Sequence, residues 1–169
     1  RGSPGLPPAR LAGAAAGDVD SDVLTQNQEQ RLGTSPNDWD TDNDFIDHGQ
    51  EDRDGDDLTN RQEFNITHTR AKVADTDGDG APDGREDPDH DNLGNAQELL
   101  VGTRPNDSDT DNDGRKDGAE DRDGDGLSNR NEARKTGTSP IDRDSNDDGQ
   151  IDSRDDEDED GLTNRQELL

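Results

Sequence analysis

The chain has 169 residues, of which 20% are hydrophobic and 2% aromatic, and it carries a net charge of -28 with 38% charged residues. So few apolar side chains cannot offset the entropy of ordering a domain of this length, which excludes a conventional hydrophobic core. Acids outnumber bases 46 to 18, which excludes nucleic acid and anionic membranes as partners, since both are bound through Lys and Arg.

Composition alone places the chain with disordered acidic sequences, so any other reading rests on how the acids are arranged. No apolar run is long enough to span a bilayer. Cys is absent, which removes disulfides, and Met is absent too, so the sequence is expected to be a processed form or an excerpt. Residues 1–17, rich in Pro, Ala and Gly without a clean signal-peptide core, are expected to be a flexible linker or docking tail.

From Asp18 onward a 12-residue pattern, D-x-D-x-D-G-x-x-[DN]-x-x-E, recurs nine times. Its first, third, fifth and twelfth positions are Asp18, Asp20, Asp22 and Glu29, then Asp40, Asp42, Asp44 and Glu51, then Asp52, Asp54, Asp56 and Glu63. Next come Asp75, Asp77, Asp79 and Glu86, then Asp87, Asp89, Asp91 and Glu98, then Asp109, Asp111, Asp113 and Glu120. The last three sets are Asp121, Asp123, Asp125 and Glu132; Asp144, Asn146, Asp148 and Asp155; and Asp156, Asp158, Asp160 and Glu167. Oxygen-bearing ninth positions add Asp83, Asn95, Asp117, Asn129, Asp152 and Asn164.

The loops alternate between two kinds. A first kind, opening at Asp40, Asp75, Asp109 and Asp144, is usually preceded two residues earlier by an acid, at Asp38, Asp107 and Asp142. The second kind abuts it without a spacer and always carries Leu at its seventh position: Leu24, Leu58, Leu93, Leu127 and Leu162. The unit is 34 or 35 residues, and residues 32–44 match residues 101–113 at 10 of 13 positions.

Of the 46 acids, 43 lie inside the nine loops, a distribution that neither a disordered acidic chain nor a halophile's acidic surface requires. Ca²⁺ takes six to eight oxygens at about 2.3–2.6 Å, and a short segment wraps it when alternate carboxylates point inward, a Gly turns the chain at position six and an acid closes at position twelve. The pattern therefore predicts Ca²⁺, about one ion per loop or more, bound by the residues named above. Mg²⁺ suits a smaller, more rigid shell. Zn²⁺ has no Cys and only scattered His48, His68 and His90, expected to face solvent or, for His48, to be a degenerate ninth position. Loops lacking Gly at position six, at Val23, Phe45, Asp57 and Asn92, are expected to bind more weakly.

An EF-hand uses the same loop but needs a helix on each side and an apolar eighth residue. Abutting loops leave no room for the first, and Thr25, Asp47, Thr59, Pro82, Gly94, Lys116, Ser128 and Thr163 do not meet the second. The tandem loops, the D-G-L-[ST]-N-R-x-E endings at residues 125–132 and 160–167, and the G-T-x-P turns at residues 33–36, 102–105 and 137–140 resemble the thrombospondin type 3 repeats of bacterial and archaeal surface proteins. The resemblance covers residues 18–169. It implies an extracellular array wrapped around many Ca²⁺ ions with little regular secondary structure.

Short helices have local support. Thr25, Thr59 and Thr163 stand three residues before Gln28, Gln62 and Gln166, a capping-box spacing, while Gly33, Gly102 and Gly137 followed by Pro36, Pro105 and Pro140 end each helix after about two turns. The position-seven Leu is expected to pack on a neighbouring segment such as Leu32, Ile66, Leu100 or Val101. The expected fold is a calcium-stabilised tandem repeat of irregular loops and one- to two-turn helices, with little or no sheet.

The expected function is that of an extracellular structural repeat, a calcium-rigidified spacer, stalk or filament segment. The chain ends, Glu167-Leu168-Leu169 and Arg1-Gly2-Ser3-Pro4, would suit head-to-tail joining with copies of itself. The alternative is an adhesion module for a protein or glycan, for which only Trp39, Phe45 and Phe64 are available as aromatic contacts. No catalytic constellation is readable. Asn65-Ile66-Thr67 and Asn106-Asp107-Ser108 match the N-glycosylation pattern.

Overall fold

The computed structural model describes residues 17–156 and 158–169; the expected tail at 1–17 lies, but for Gly17, outside them. The chain divides into two compact units at Gly78 and Asp79. The fold is made mostly of loops with short helices, and among the described residues its one sheet-like contact is an isolated bridge between Arg104 and Asp107.

Each loop is wound by its own carboxylates. At position one, both oxygens are spent on the backbone: Asp40 accepts from Asp44 N at 3.1 Å and Phe45 N at 2.9 Å, and Asp109 accepts from Asp113 N at 3.1 Å and Gly114 N at 3.0 Å. The position-five carboxylate accepts from the amide two residues on, as in Asp91 with Leu93 N at 2.7 Å and Asp125 with Leu127 N at 2.7 Å. These bonds require the chain to turn left-handed twice. Position six has φ between 73° and 102° in all nine loops, and Val23, Phe45, Asp57 and Asn92 adopt it at 73–76° without Gly. Position four is left-handed as well, at Ser21, Asn43, Gly55, Gly78, His90, Asn112, Gly124, Asp147 and Glu159.

Every loop of the second kind ends in a short helix that starts at its ninth residue: α1 (Gln26–Leu32), α2 (Asn60–Gln62, continuing as a π turn over Glu63–Thr67), α3 (Asn95–Val101), α4 (Asn129–Asn131, continuing as a π turn over Glu132–Thr136) and α5 (Asn164–Glu167). The Gln arm of the expected capping box is made at Thr25, Thr59 and Thr163, whose amides donate to Gln28, Gln62 and Gln166 at 2.7, 2.7 and 2.9 Å. Gly33, Gly102 and Gly137 end α1, α3 and α4 in the left-handed conformation, with amides bonded to the carbonyls of Glu29, Glu98 and Glu132. His68, at φ 61°, takes that place after α2. Three of the four loops of the first kind end instead in single 3₁₀ turns, Asp83–Arg85, Asp117–Ala119 and Asp152–Arg154, and the one opening at Asp40 ends in a plain turn at residues 48–50.

Apolar burial is limited to small satellites. In the first unit Leu24, Leu32 and Ala71 pack together with Phe64, over whose ring the Arg31 guanidinium lies at 5.1 Å. In the second, Leu93, Val101 and Leu127 are buried, together with Pro105 and Pro140. Ile66 and Leu100, offered as partners by sequence, are exposed: they lie on the outer face of their helices, and Leu32 and Val101 point inward. Leu162 is also exposed.

Phe45 holds a left-handed backbone while its side chain is 86% exposed, so it has strain without burial. Relief of about 1–2 kcal/mol for a side chain in that region, less the 0.4–1 kcal/mol that Gly adds to unfolded-chain entropy, makes Phe45→Gly stabilising by roughly 0.5–1 kcal/mol. Denaturant unfolding should show a higher midpoint for the variant.

Candidate metal centre

The abutting loops are fastened by the Asn at position nine of the second loop. Asn60, Asn95, Asn129 and Asn164 each donate Nδ2 to the carbonyl of the ninth residue of the loop before, His48, Asp83, Asp117 and Asp152, at 2.7–2.8 Å. Their backbone amides donate to the carbonyls of Glu51, Glu86, Glu120 and Asp155, the twelfth residues of those loops, at 2.7–2.9 Å. The amide nitrogen is thus structural; Oδ1 of Asn60 and of Asn95 is buried without a hydrogen-bond partner, while Oδ1 of Asn129 accepts from Arg122 N at 3.0 Å. Asn60 belongs to this set although its oxygen was not among the expected ligands.

The carboxylates converge beside this clamp. Ligand atoms of Asp40, Asp42 and Asp44 lie within 4.8 Å of one another, as do those of Asp52, Asp54 and Asp56. The closing acid joins the same group, for burial and then the charges of Asp111, Asp117 and Asp113 push the Glu120 carboxyl up. In loops of both kinds the carboxylates at positions one, three and five therefore come together within the loop. In the eighth loop Asn146 Nδ2 donates to Asp155 Oδ2 at 3.1 Å, so the two exceptional ligands there are partnered with each other.

Loops of the second kind draw on a residue far along the chain. Asp91 Oδ2 accepts from Gly118 N at 2.6 Å and Asp125 Oδ2 from Ser153 N at 2.7 Å, in both cases the tenth residue of the next loop of the first kind. That contact brings the ninth residue, Asp117 or Asp152, into the field of Glu98 or Glu132. A Cβ on Gly118 would stand 2.5 Å from the Asp91 carbonyl, so a bare glycine makes this approach possible. At the ninth position the carboxylate is itself oriented: Asp117 accepts from Thr110 N and Oγ1 at 2.9 and 2.8 Å, and Asp152 from Ser145 N and Oγ at 2.7 Å each. Sequence reading missed this approach of one loop to another; the recurring Thr or Ser at position two, which orients the ninth carboxylate, is its signal.

His48 is buried, which overturns the expectation that it faces solvent and leaves the degenerate ninth position as its place. It sits in a group with Asp20, Asp22 and Glu29 whose ligand atoms lie within 4.8 Å of one another.

Asp38 and Asp142 stand on exposed turns, and Asp107 pairs with Arg104 at 3.3 Å. Asp160 and Glu167 of the last loop are also exposed.

The test of whether a cation fits is the state of the buried oxygens. Glu29, Glu98 and Glu132 have no exposed surface, and neither oxygen of any of the three accepts a hydrogen bond. Burying an unpaired carboxylate is prohibitive unless it is neutralised by a proton or a cation. The donor set is almost wholly oxygen, which suits a hard cation. No protein-family model, curated protein or solved structure matches the chain.

Without a cation these groups hold protons. Burial first, then neighbouring aspartates, push Glu29 up to about 7, Glu98 to about 8 and Glu132 to about 9. An acid whose folded pKa exceeds its unfolded value favours folding below the unfolded value and loses that favour as pH rises through the folded one. Metal-free protein should therefore unfold at lower denaturant as pH is raised from 5 to 9. Cation binding at pH 7 should release protons, measurable by calorimetry in buffers of different ionisation enthalpy.

Proposed function

We propose that the chain is an extracellular calcium-binding repeat in which Ca²⁺ ions stand where a hydrophobic core would, and that it acts as a spacer, stalk or fibre segment. The observation that carries this reading is the set of buried, hydrogen-bond-free glutamates Glu29, Glu98 and Glu132, each ringed by aspartates at loop positions three and five. A hard cation taking six to eight oxygens answers that arrangement, and extracellular Ca²⁺ is abundant enough to fill sites as weak as about 10⁻⁴–10⁻³ M. Resemblance to thrombospondin type 3 repeats supports the same assignment.

The structural role follows from where the ligands come from. An ion held by Asp89, Asp91 and Glu98 also meets Asp117 of a later loop, and one held by Asp123, Asp125 and Glu132 meets Asp152. Ion binding then fixes successive repeats to one another and supplies the folding free energy that a small apolar interior does not.

A second reading, calcium-dependent adhesion to a protein or glycan, is favoured by Phe45 and its neighbour Ile46, both exposed, with Phe45 in a strained backbone. Strain retained at an exposed aromatic is the kind of feature that marks a contact surface.

Titration of chelator-stripped protein with Ca²⁺, followed by hydrodynamic radius, circular dichroism and Trp39 fluorescence, should show a saturable compaction that Mg²⁺ does not reproduce. Bound ions should number about one per loop or more. Glu98→Gln and Glu132→Gln should each lower the count by about one and shift compaction to higher Ca²⁺. Absence of any transition at several millimolar Ca²⁺ would refute the proposal.

A further inference from the structure

The ninth residue of a first-kind loop is an acid at Asp83, Asp117 and Asp152, and a histidine at His48. His48 has no exposed surface, and its Nδ1 stands 2.9 Å from Asp22 Oδ2 and 3.7 Å from Glu29 Oε1. Glu29 is itself fully buried, and neither of its oxygens accepts a hydrogen bond; the same is true of both oxygens of Asp20. The fold thus presents one imidazole nitrogen and three carboxylates to a common point, whereas groups such as Asp40, Asp42 and Asp44 or Asp52, Asp54 and Asp56 offer oxygen alone.

Imidazole is a poor ligand for Ca²⁺ and a good one for first-row transition ions and Zn²⁺, whose affinity for nitrogen rises along the series from Mn²⁺ to Cu²⁺. We propose that the site formed by Asp20, Asp22, Glu29 and His48 selects a divalent transition ion or Zn²⁺ over Ca²⁺, and so differs in its metal from the oxygen-only sites of the same chain. This rests on the loops being metal sites, but not on the other sites holding Ca²⁺.

Two atoms of Thr41 contact the outer nitrogen of the ring. His48 Nε2 lies 2.9 Å from Thr41 Oγ1, an acceptor for the Nε2 proton when Nδ1 is given to a metal, and such a partner fixes both tautomer and ring orientation. Thr41 N donates to Nε2 at 3.0 Å, which places the ring proton on Nδ1, facing Asp22. Metal binding at Nδ1 requires that proton to move to Nε2, where Thr41 Oγ1 accepts it and the Thr41 amide gives up its hydrogen bond.

Co²⁺ reports the difference directly, because its visible absorption depends on its ligands. The 169-residue chain saturated with millimolar Ca²⁺ should retain about one tightly bound Co²⁺ with a nitrogen-ligand spectrum, and Zn²⁺ should displace it. His48→Asp installs the residue that other repeats carry at this position, so it is expected to fold. It should lose Co²⁺ affinity by roughly tenfold or more in the presence of Ca²⁺ and gain one Ca²⁺ equivalent. Full displacement of Co²⁺ by Ca²⁺ in the unaltered chain, or equal Co²⁺ retention by His48→Asp, would overturn the proposal while leaving the calcium array intact. Failure of both ions to bind anywhere would overturn the two together.

Discussion

Mutual repulsion between closely spaced carboxylates is the constraint on which the rest of the structure depends. The loops gather aspartates within a few ångströms, and four of them bury a glutamate as well, Glu29, Glu63, Glu98 and Glu132, an arrangement that is adverse by itself. The fold answers it in two stages. Carboxylates at positions one and five are spent partly on the backbone amides of their own loop, and this winds the loop whatever occupies position six. The glutamate at position twelve has no such partner at Glu29, Glu98 or Glu132 and remains the group whose charge must be met from outside the chain.

Around this polar centre the remaining elements act as holders. The short helices exist to present the glutamate: each begins three residues ahead of it, and the left-handed glycine after α1, α3 or α4 bonds back to its carbonyl. The position-seven leucine covers the outer side of the loop in four of its five copies, contributing a few isolated apolar contacts. Asn at position nine joins neighbouring loops through their backbones and so turns two abutting sequences into one rigid pair.

Much of this was legible in sequence because the signals are local. Loop phase, the turn at position six, the capping boxes and the terminal glycines involve residues within one loop length of each other. Two features escaped because they depend on tertiary approach. Nothing in the pattern says that Asp117 serves Glu98 as well as Glu120, since the contact is made by the backbone of Gly118 against Asp91. Likewise His48 reads as an isolated substitution until the chain brings it back to Asp22, 26 residues earlier. Val23, Phe45, Asp57 and Asn92 hold the left-handed turn without Gly because the position-one carboxylate accepts from each of their amides.

The borrowed ninth ligand also bears on how such a gene can change length. The contact between Asp91 and Gly118 spans 27 residues and that between Asp125 and Ser153 spans 28, so the connector tolerates a single added residue. A longer insertion or deletion inside a connector would pull this contact out of register, whereas gain or loss of a whole 34- or 35-residue unit keeps every partner in phase. Unequal recombination between the near-identical segments at residues 32–44 and 101–113 is therefore a route by which the array can lengthen or shorten without ever passing through a mis-registered intermediate.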